Sequence, residues 1–365
     1  MSALSSVDLS VDSPKAVAVS PWRMCVAPML DWTDRHCRYF HRLLSRRARL
    51  YTEMVTTGAL LHGDVDRHLR FNEEEHPLAL QLGGSEPADL AACARLALQW
   101  RYDEVNLNCG CPSERVQRGA FGACLMSEAS LVADCVKAMM DATGGDKRMP
   151  ITVKHRIGID QIESYDFVRD FVGAVSAVGC EVFIVHARNA WLKGLSPKEN
   201  REIPPLRYEF VHRLKRDFPH LTIVLNGGLA DNASCQSHLE TGAVHEGVAL
   251  DGIMVGRAAY HTPWIMADWD QLFFGEPANP EAVRTREAVE VEMVRYAQRE
   301  MARTAGLPHG EVRWSAVIRH ILGLYNGLPG ARRWRQVWSD HTLKGLDPQE
   351  VMARAHHRDK PELAA

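Results

Sequence analysis

Eight times between residues 25 and 258 a short apolar run closes on a polar residue or a glycine, with helical patterning before the next. The runs fall at 25–29, 50–55, 78–83, 104–108, 151–156, 181–188, 221–228 and 251–258. They read as strands that are β-branched and apolar for several residues, as expected where both faces are covered. Eight strands alternating with helices predict a (β/α)8 TIM barrel, an α/β fold whose chemistry gathers at the C-terminal ends of the strands. The 365 residues exceed the roughly 250 of a barrel alone, so a second, smaller unit is expected. Helical patterns at 289–302, 314–324, around Trp334 and at 348–355 supply it, without a strand pattern. The expected division is a disordered tail over 1–20, the barrel over 21–282, an all-helical domain over 283–352 and a flexible tail over 353–365.

Composition narrows the setting. With 46% apolar and 24% charged residues, a folded soluble protein is expected. No apolar run reaches the roughly 18 residues of a membrane span, so no membrane association is expected. Residues 1–20 carry Asp8 and Asp12 and lack the basic start and apolar core of a signal peptide. Nine scattered cysteines, an odd number, argue against a disulfide scaffold and for a reducing cytoplasm. Cys109 and Cys111 form a pair without a second pair to face it, so no metal site is expected. The net charge of −3 neither announces nor excludes a nucleic-acid partner, because a local basic patch decides that.

Met29, Gln81, Asn108, Lys154, His186, Asn226 and Arg257 all fall at strand ends, and a barrel brings them to one rim. Lys154 stands out, because a lysine closing an apolar strand is seldom buried without a partner. Asn226-Gly227-Gly228 and the segment from Gly252 through Gly256 to Arg257 occupy the usual phosphate position after strands seven and eight. A phosphate-bearing cofactor across the mouth fits them, and the glycine fingerprint of a dinucleotide fold is missing. The strand at 104–108 runs into Cys109-Gly110-Cys111-Pro112-Ser113, where Gly110 and Pro112 force a loop. Cys111 in that loop is a nucleophile, a proton donor or an inert thiol; only folding would bring His155 or His186 to it. Cys109 reads as the inert one.

Other features suggest contact surfaces. A polar stretch over 62–76 is placed to project over the mouth, and the loop 191–205 with Lys193, Lys198 and Arg201 to act as a lid or contact loop. Arg46, Arg47 and Arg49 cluster before strand two. Asp31-Trp32-Thr33-Asp34 reads as a helix start, with Thr33 or Asp31 able to cap it. In the helical domain Arg313, Arg319, Arg332, Arg333, Arg335 and Lys344 interleave with Trp314, Trp334 and Trp338. That pattern suits RNA, with charge for phosphates and flat rings for exposed bases; a bundle with buried tryptophans is the other reading.

The motifs together resemble the tRNA-dihydrouridine synthases, most closely the DusA subfamily, over about residues 22–350. The strongest match is Asn108-Cys109-Gly110-Cys111-Pro112-Ser113 followed by Val116, Gly119 and Phe121-Gly122-Ala123-Cys124-Leu125-Met126. Ala27-Pro28-Met29, the Gln81 strand, Val153-Lys154-His155-Arg156, Val185-His186-Ala187-Arg188, Leu225-Asn226-Gly227-Gly228 and Met254-Val255-Gly256-Arg257 follow the family order. The chain departs from the family at Cys109, where a bulky apolar residue is common.

The resemblance implies an FMN-binding barrel that reduces the C5–C6 double bond of uridine in the tRNA D-loop with NADPH as electron donor. DusA-like members act at D-loop positions 20 and 20a, and the match of this chain rests on the motifs around Cys111. It implies that Pro28 and Met29 line the flavin ring, Gln81 and Lys154 bond its polar edge, and Asn226, Gly227, Gly228, Gly256 and Arg257 hold its phosphate. Cys111 matches the catalytic acid. Asn108, Lys154, His186 and Arg188 match residues around flavin and uracil, with His186 among those expected to contact the cofactor. Arg313, Arg319, Arg332 and Arg333 of the helical domain become expected tRNA contacts, with Arg46, Arg47 and the 191–205 loop as secondary ones. A monomer is expected. A small-molecule flavin reductase, an aldolase-like enzyme using Lys154 as a Schiff base and a non-catalytic RNA-binding protein are the rival readings.

Overall fold

A computed structural model describes residues 19–146, 148–240, 247–276, 285–307 and 311–357. The expected tail over 1–20 lies outside them except for Val19 and Ser20. Eight strands form one parallel sheet: β1 (Met24–Val26), β2 (Leu50–Thr56), β3 (Leu78–Gly83), β4 (Glu104–Cys109), β5 (Ile151–Arg156), β6 (Val182–His186), β7 (Thr222–Asn226) and β8 (Gly252–Val255). Each pairs with its sequence neighbour, and β1 pairs with β8. The ring closes where Val26 N–H donates to the Arg49 carbonyl at 2.9 Å and Arg49 N–H to the Met24 carbonyl at 3.0 Å. This is the expected (β/α)8 barrel.

Helices return the chain between strands: α1 (Arg35–Leu44), then α2 (Thr57–His62) and α3 (Val65–Leu69), α4 (Pro87–Gln99), α5 (Glu114–Arg118) with α6 (Ala129–Ala142), α7 (Tyr165–Ser176), α8 (Tyr208–Asp217) and α9 (Asn232–Leu239). The expected cap of α1 is corrected. Asp34 caps it, accepting from the backbone N–H of His36 and Cys37 at 3.0 Å. Thr33 is already committed to the backbone of Met29, and Asp31 sits at φ 65° in the preceding turn. The polar stretch at 62–76 contains α3 and a short 3-10 turn rather than one projecting loop. Helix α9 had no counterpart in the sequence reading; its apolar signal is weak.

Side chains alternate along each strand, which decides what faces the barrel interior. One inward layer is small and apolar: Cys25, Ala27, Tyr51, Ala79, Ile184, Val224 and Met254. The inward face of β4 differs, and here the expectation of strands apolar on both faces is corrected. Glu104 and Asn106 are fully buried inside the barrel, while Val105, Leu107 and Cys109 join the outer core. The inward phase then places Gln81, Asn108, Lys154, Arg156, His186 and Asn226 at or near the C-terminal rim. Asn108 is in register with Lys154, and His186 with Arg156 and Asn226.

After β8 come α10 (Arg257–His261), α11 (Trp269–Phe274), α12 (Arg286–Thr304), α13 (Trp314–Ile318), α14 (Ala331–Ser339) and α15 (Pro348–His356). The last helix runs to His356, past the expected start of a flexible tail at 353; residues 358–365 lie outside the described ones. Helix α12 lies against α1. Tyr39 and Tyr296 stack at 4.0 Å between ring centroids, and the Tyr39 hydroxyl donates to Glu292 at 3.0 Å. Asp34 also joins the two parts, bonding Arg319 at 2.9 Å and His320 at 3.0 Å.

The tryptophans of the helical part are buried, as the bundle reading expects and the reading of rings offered to RNA bases does not. Trp334 and Trp338, one helical turn apart on α14, each donate an indole N–H to Glu290 at 2.9 Å. Tyr325 donates to the same carboxylate at 3.1 Å, and His356 meets it at 2.7 Å. The basic cluster before β2 stands away from the cavity mouth. It lies at the N-terminal end of the barrel, opposite the strand ends. Arg49 is buried against Glu104 at 3.1 Å, and Arg46 and Arg47 pair with Glu276.

Candidate functional site

An open cavity of about 1810 Å³ sits at the C-terminal ends of the strands. Pro28, Met29, Gln81, Asn108, Cys111, Lys154, His186, Asn226, Gly227, Gly228, Gly256 and Arg257 all line it, so all but one of the expected barrel residues meet there. The exception is Arg188, which lies behind the lining and donates to the carbonyls of Glu202 and Pro204.

The Cys111 loop is held from several sides. The Asn108 side-chain oxygen Oδ1 accepts from the backbone N–H of Gly110 and of Cys111, both at 3.0 Å. Ala123 N–H donates to the Cys111 carbonyl at 2.9 Å. Gly122 makes that approach possible: at φ 79°, a Cβ there would lie 2.6 Å from the Cys111 carbonyl oxygen. Arg156 donates to the Gly110 carbonyl at 3.2 Å and to the Asn200 carbonyl at 2.9 Å, joining β5, the thiol loop and the 191–205 loop. The Cys111 thiol is half-buried, with Ser113 Oγ at 3.5 Å. Cys109 is fully buried, and burial pushes its thiol well above the ordinary range, as befits an inert cysteine. His155 is fully buried on the outer side of β5 against Phe171 and Phe183, so it offers Cys111 no partner.

The lining is strongly cationic. Burial, then the nearby Arg156, lowers Lys154 to about 7. Burial lowers Arg156 to about 9 and holds His186 well below its usual value, so the imidazole is neutral. Lys198, Arg201 and Arg257 add to the set. Neither Lys154 Nζ nor the His186 ring meets a hydrogen-bond partner among the described residues, although both line the cavity. Arg257 pairs with Glu202 at 2.6 Å. Among the described residues, the backbone N–H groups of Gly227, Gly228, Gly256 and Arg257 meet no protein acceptor. Asn226, by contrast, donates its amide to the Met254 carbonyl at 2.8 Å and serves the β7–β8 junction.

These features fit a flat ligand with a phosphate. Unpartnered polar side chains face the cavity centre, and open backbone N–H groups with Arg257 face one edge. The sequence reading gave Arg156 no role in the lining, whereas Arg201 arrives there on the expected contact loop. Arg156 stands in a quoted motif, two residues after Lys154, and strand periodicity alone turns it inward.

Of the helical-domain arginines, Arg319 pairs with Asp34 and Arg313 lines a smaller cleft of about 670 Å³. That cleft shares Asp34 and His36 with the main cavity. Arg332 and Arg333 are exposed on α14 and line neither. The 191–205 loop contributes Lys198 and Arg201 to the cavity, but Lys193 stays outside. From the 62–76 stretch, His68, Arg67 and Arg70 reach the rim. No helix among the described residues is long and apolar enough to cross a membrane.

A family model described as Dihydrouridine synthase (Dus) matches residues 25–357. A Pseudomonas putida relative named tRNA-dihydrouridine(20/20a) synthase is 56% identical over 333 residues, covering 91% of this chain and 93% of its own. Relatives of the same name from Vibrio parahaemolyticus and Salmonella typhimurium are 53% and 54% identical, each over 93% of this chain and over 98% and 95% of their own. Among solved structures, a 2-naphthoyl-CoA reductase complex aligns with a TM-score of 0.50 at 13% identity, over 70% of this chain and 50% of that one. That likeness speaks to the fold alone.

Proposed function

The chain belongs to the dihydrouridine synthase family, and from that premise we propose that it reduces uridine to 5,6-dihydrouridine at D-loop positions 20 and 20a of tRNA, with FMN bound in the barrel and NADPH as electron donor. The observation that carries the reading is the meeting of Gln81, Asn108, Lys154 and His186 with the Cys111 loop around one cavity. The nine cysteines, all free, suit the reducing cytoplasm where tRNA is modified.

Pro28 and Met29 would flank the flavin ring, Gln81 and Lys154 its polar edge, and the N–H groups of Gly227, Gly228 and Gly256 its phosphate. Arg257, paired with Glu202, would add its charge on the same side. When bound, the flavin supplies the hydride that C6 of uracil receives. The protein supplies the rest. The Cys111 thiol gives its proton to C5, so hydride and proton together saturate the double bond. Lys154 and neutral His186 hold the uracil carbonyls and take up the negative charge that develops on the ring. The uridine reaches this cavity only after leaving the RNA stack, at a cost of a few kcal/mol that is smallest in a strained loop.

The helical part over 286–356 would hold the remainder of the tRNA. Its support is the cleft with Arg313, Arg319 and Lys344, which continues from the cavity through Asp34 and His36. An absorption spectrum tests the whole reading. The purified protein should show flavin bands that bleach with NADPH under nitrogen. They should return only with unmodified tRNA, as dihydrouridine appears. Reoxidation by a free pyrimidine but not by tRNA would turn the assignment to a small-molecule reductase.

A further inference from the structure

A continuous line of buried polar side chains crosses the barrel from its floor to the Cys111 loop. At the floor, Glu104 is fully buried and accepts from Trp22 Nε1 at 2.8 Å and Arg49 at 3.1 Å on one oxygen. Its other oxygen accepts from the Tyr51 hydroxyl at 2.8 Å and the Thr152 hydroxyl at 2.6 Å. Thr152 in turn meets Asn106 Nδ2 at 2.8 Å, and Asn106 Oδ1 meets Gln81 Nε2 at 2.7 Å. Gln81 Oε1 meets Asn108 Nδ2 at 2.9 Å, and Asn108 Oδ1 ends the line on the N–H groups of Gly110 and Cys111.

The direction of every bond is dictated twice. Tryptophan and arginine only donate, so the floor must accept, and the Thr152 hydroxyl has one proton to give. Spending it on Glu104 leaves Thr152 Oγ1 as an acceptor, which turns the Asn106 amide nitrogen toward it. Asn106 then presents oxygen to Gln81, and Gln81 presents oxygen to Asn108. From the other end, backbone N–H groups also only donate, so Asn108 must turn its oxygen to the loop. The two ends impose the same order on three consecutive amides. Flipping any one would set N–H against N–H and leave a donor without an acceptor in the barrel.

We propose that Glu104, Thr152 and Asn106 are positioning residues for the reaction: they fix which way Gln81 and Asn108 face the cavity and hold the Cys111 loop in place. The inference rests on the reading of Cys111 as the proton donor. It assigns a role at the strand ends to a carboxylate at the opposite end of the barrel, acting through hydrogen-bond polarity rather than contact with substrate.

Thr152→Val tests it, because valine keeps the volume but can neither donate nor accept; Thr152→Ser restores the hydroxyl. Two readouts are taken on the holoenzyme: reoxidation of the reduced flavin by tRNA, per bound flavin, and the rate at which iodoacetamide labels Cys111, followed by peptide mass spectrometry. In the folded valine variant, reoxidation should fall on the order of tenfold or more, as misplacement of reacting groups does. Labelling should quicken several-fold as the loop loosens. Serine should return both toward wild type. Wild-type values in folded Thr152→Val, or failure of folded Thr152→Ser to recover, would overturn the proposal. Should Thr152→Val not fold, Asn106→Leu, which leaves the Thr152–Glu104 bond intact, carries the same two expectations. If wild-type enzyme is not reoxidised by tRNA, the functional reading fails, while the labelling contrast still decides the positioning role.

Discussion

Cys111 and Cys109 are two residues apart on opposite sides of one strand end, and their environments separate their roles. Cys109 is sealed in the outer core, whereas Cys111 faces the cavity. Cys111→Ala should therefore keep the flavin and its reduction by NADPH, yet lose dihydrouridine formation on tRNA by roughly 10²-fold or more, the usual worth of a positioned proton donor. Nucleoside analysis of tRNA after incubation measures it, and unchanged turnover would remove the thiol from the mechanism. At this scale the sequence was informative about identity and weak about orientation. It marked Lys154, His186 and Asn108 as rim residues. It left open that Asn108 spends its side-chain oxygen on the thiol loop and that Asn226 bonds its neighbour strand. Such commitments depend on partners distant in sequence, which local patterns do not carry.

Elements were more legible. All eight strands were visible as apolar runs because burial on the outer face demands such residues at alternate positions. What the runs concealed was the polar phase of β4, where Glu104, Asn106 and Asn108 recur at period two; alternation inside a strand taken as wholly buried was the available signal. The cap of α1 was misassigned because three candidate caps crowd residues 31–34, and only packing shows that Asp34 is also tied to Arg319 and His320. Burial alone would raise the Asp34 carboxyl, but hydrogen bonds from His320 and the Cys37 N–H, with the charge of nearby histidines, hold it well below the usual carboxylate range. With the folded value depressed, the stabilisation is present above the unfolded value of about 3.9 and is lost as pH falls below it. Asp34→Asn should thus lower stability at neutral pH by on the order of 1–2 kcal/mol. The gap to wild type should narrow as thermal melts are taken from neutral pH to below about pH 4; a constant gap would mean that the charge is not the cause.

The whole molecule combines a net charge of −3 with a cavity rim rich in cations. The field that matters is local, so the bulk composition was silent about it. Lys198 is exposed on that rim, as a phosphate contact requires. Lys198→Ala should weaken tRNA binding and reduce the slope of log affinity against log salt by about one, as loss of a single phosphate contact does. Equal slopes would place Lys198 off the RNA path. The helical part reads as helical in the sequence, but the side its tryptophans face stayed open there, since basic and aromatic residues interleave in sequence while a helix sorts them onto opposite faces. The indoles of Trp334 and Trp338 surround Glu290 together with Tyr325 and His356, and His356 belongs to the last described helix turn. A stop codon between residues 348 and 356 would thus do more than shorten a surface helix. It would strip a donor from a carboxylate that water does not reach, so mutational tolerance in this gene should vanish sooner near its end than the exposed charges there suggest.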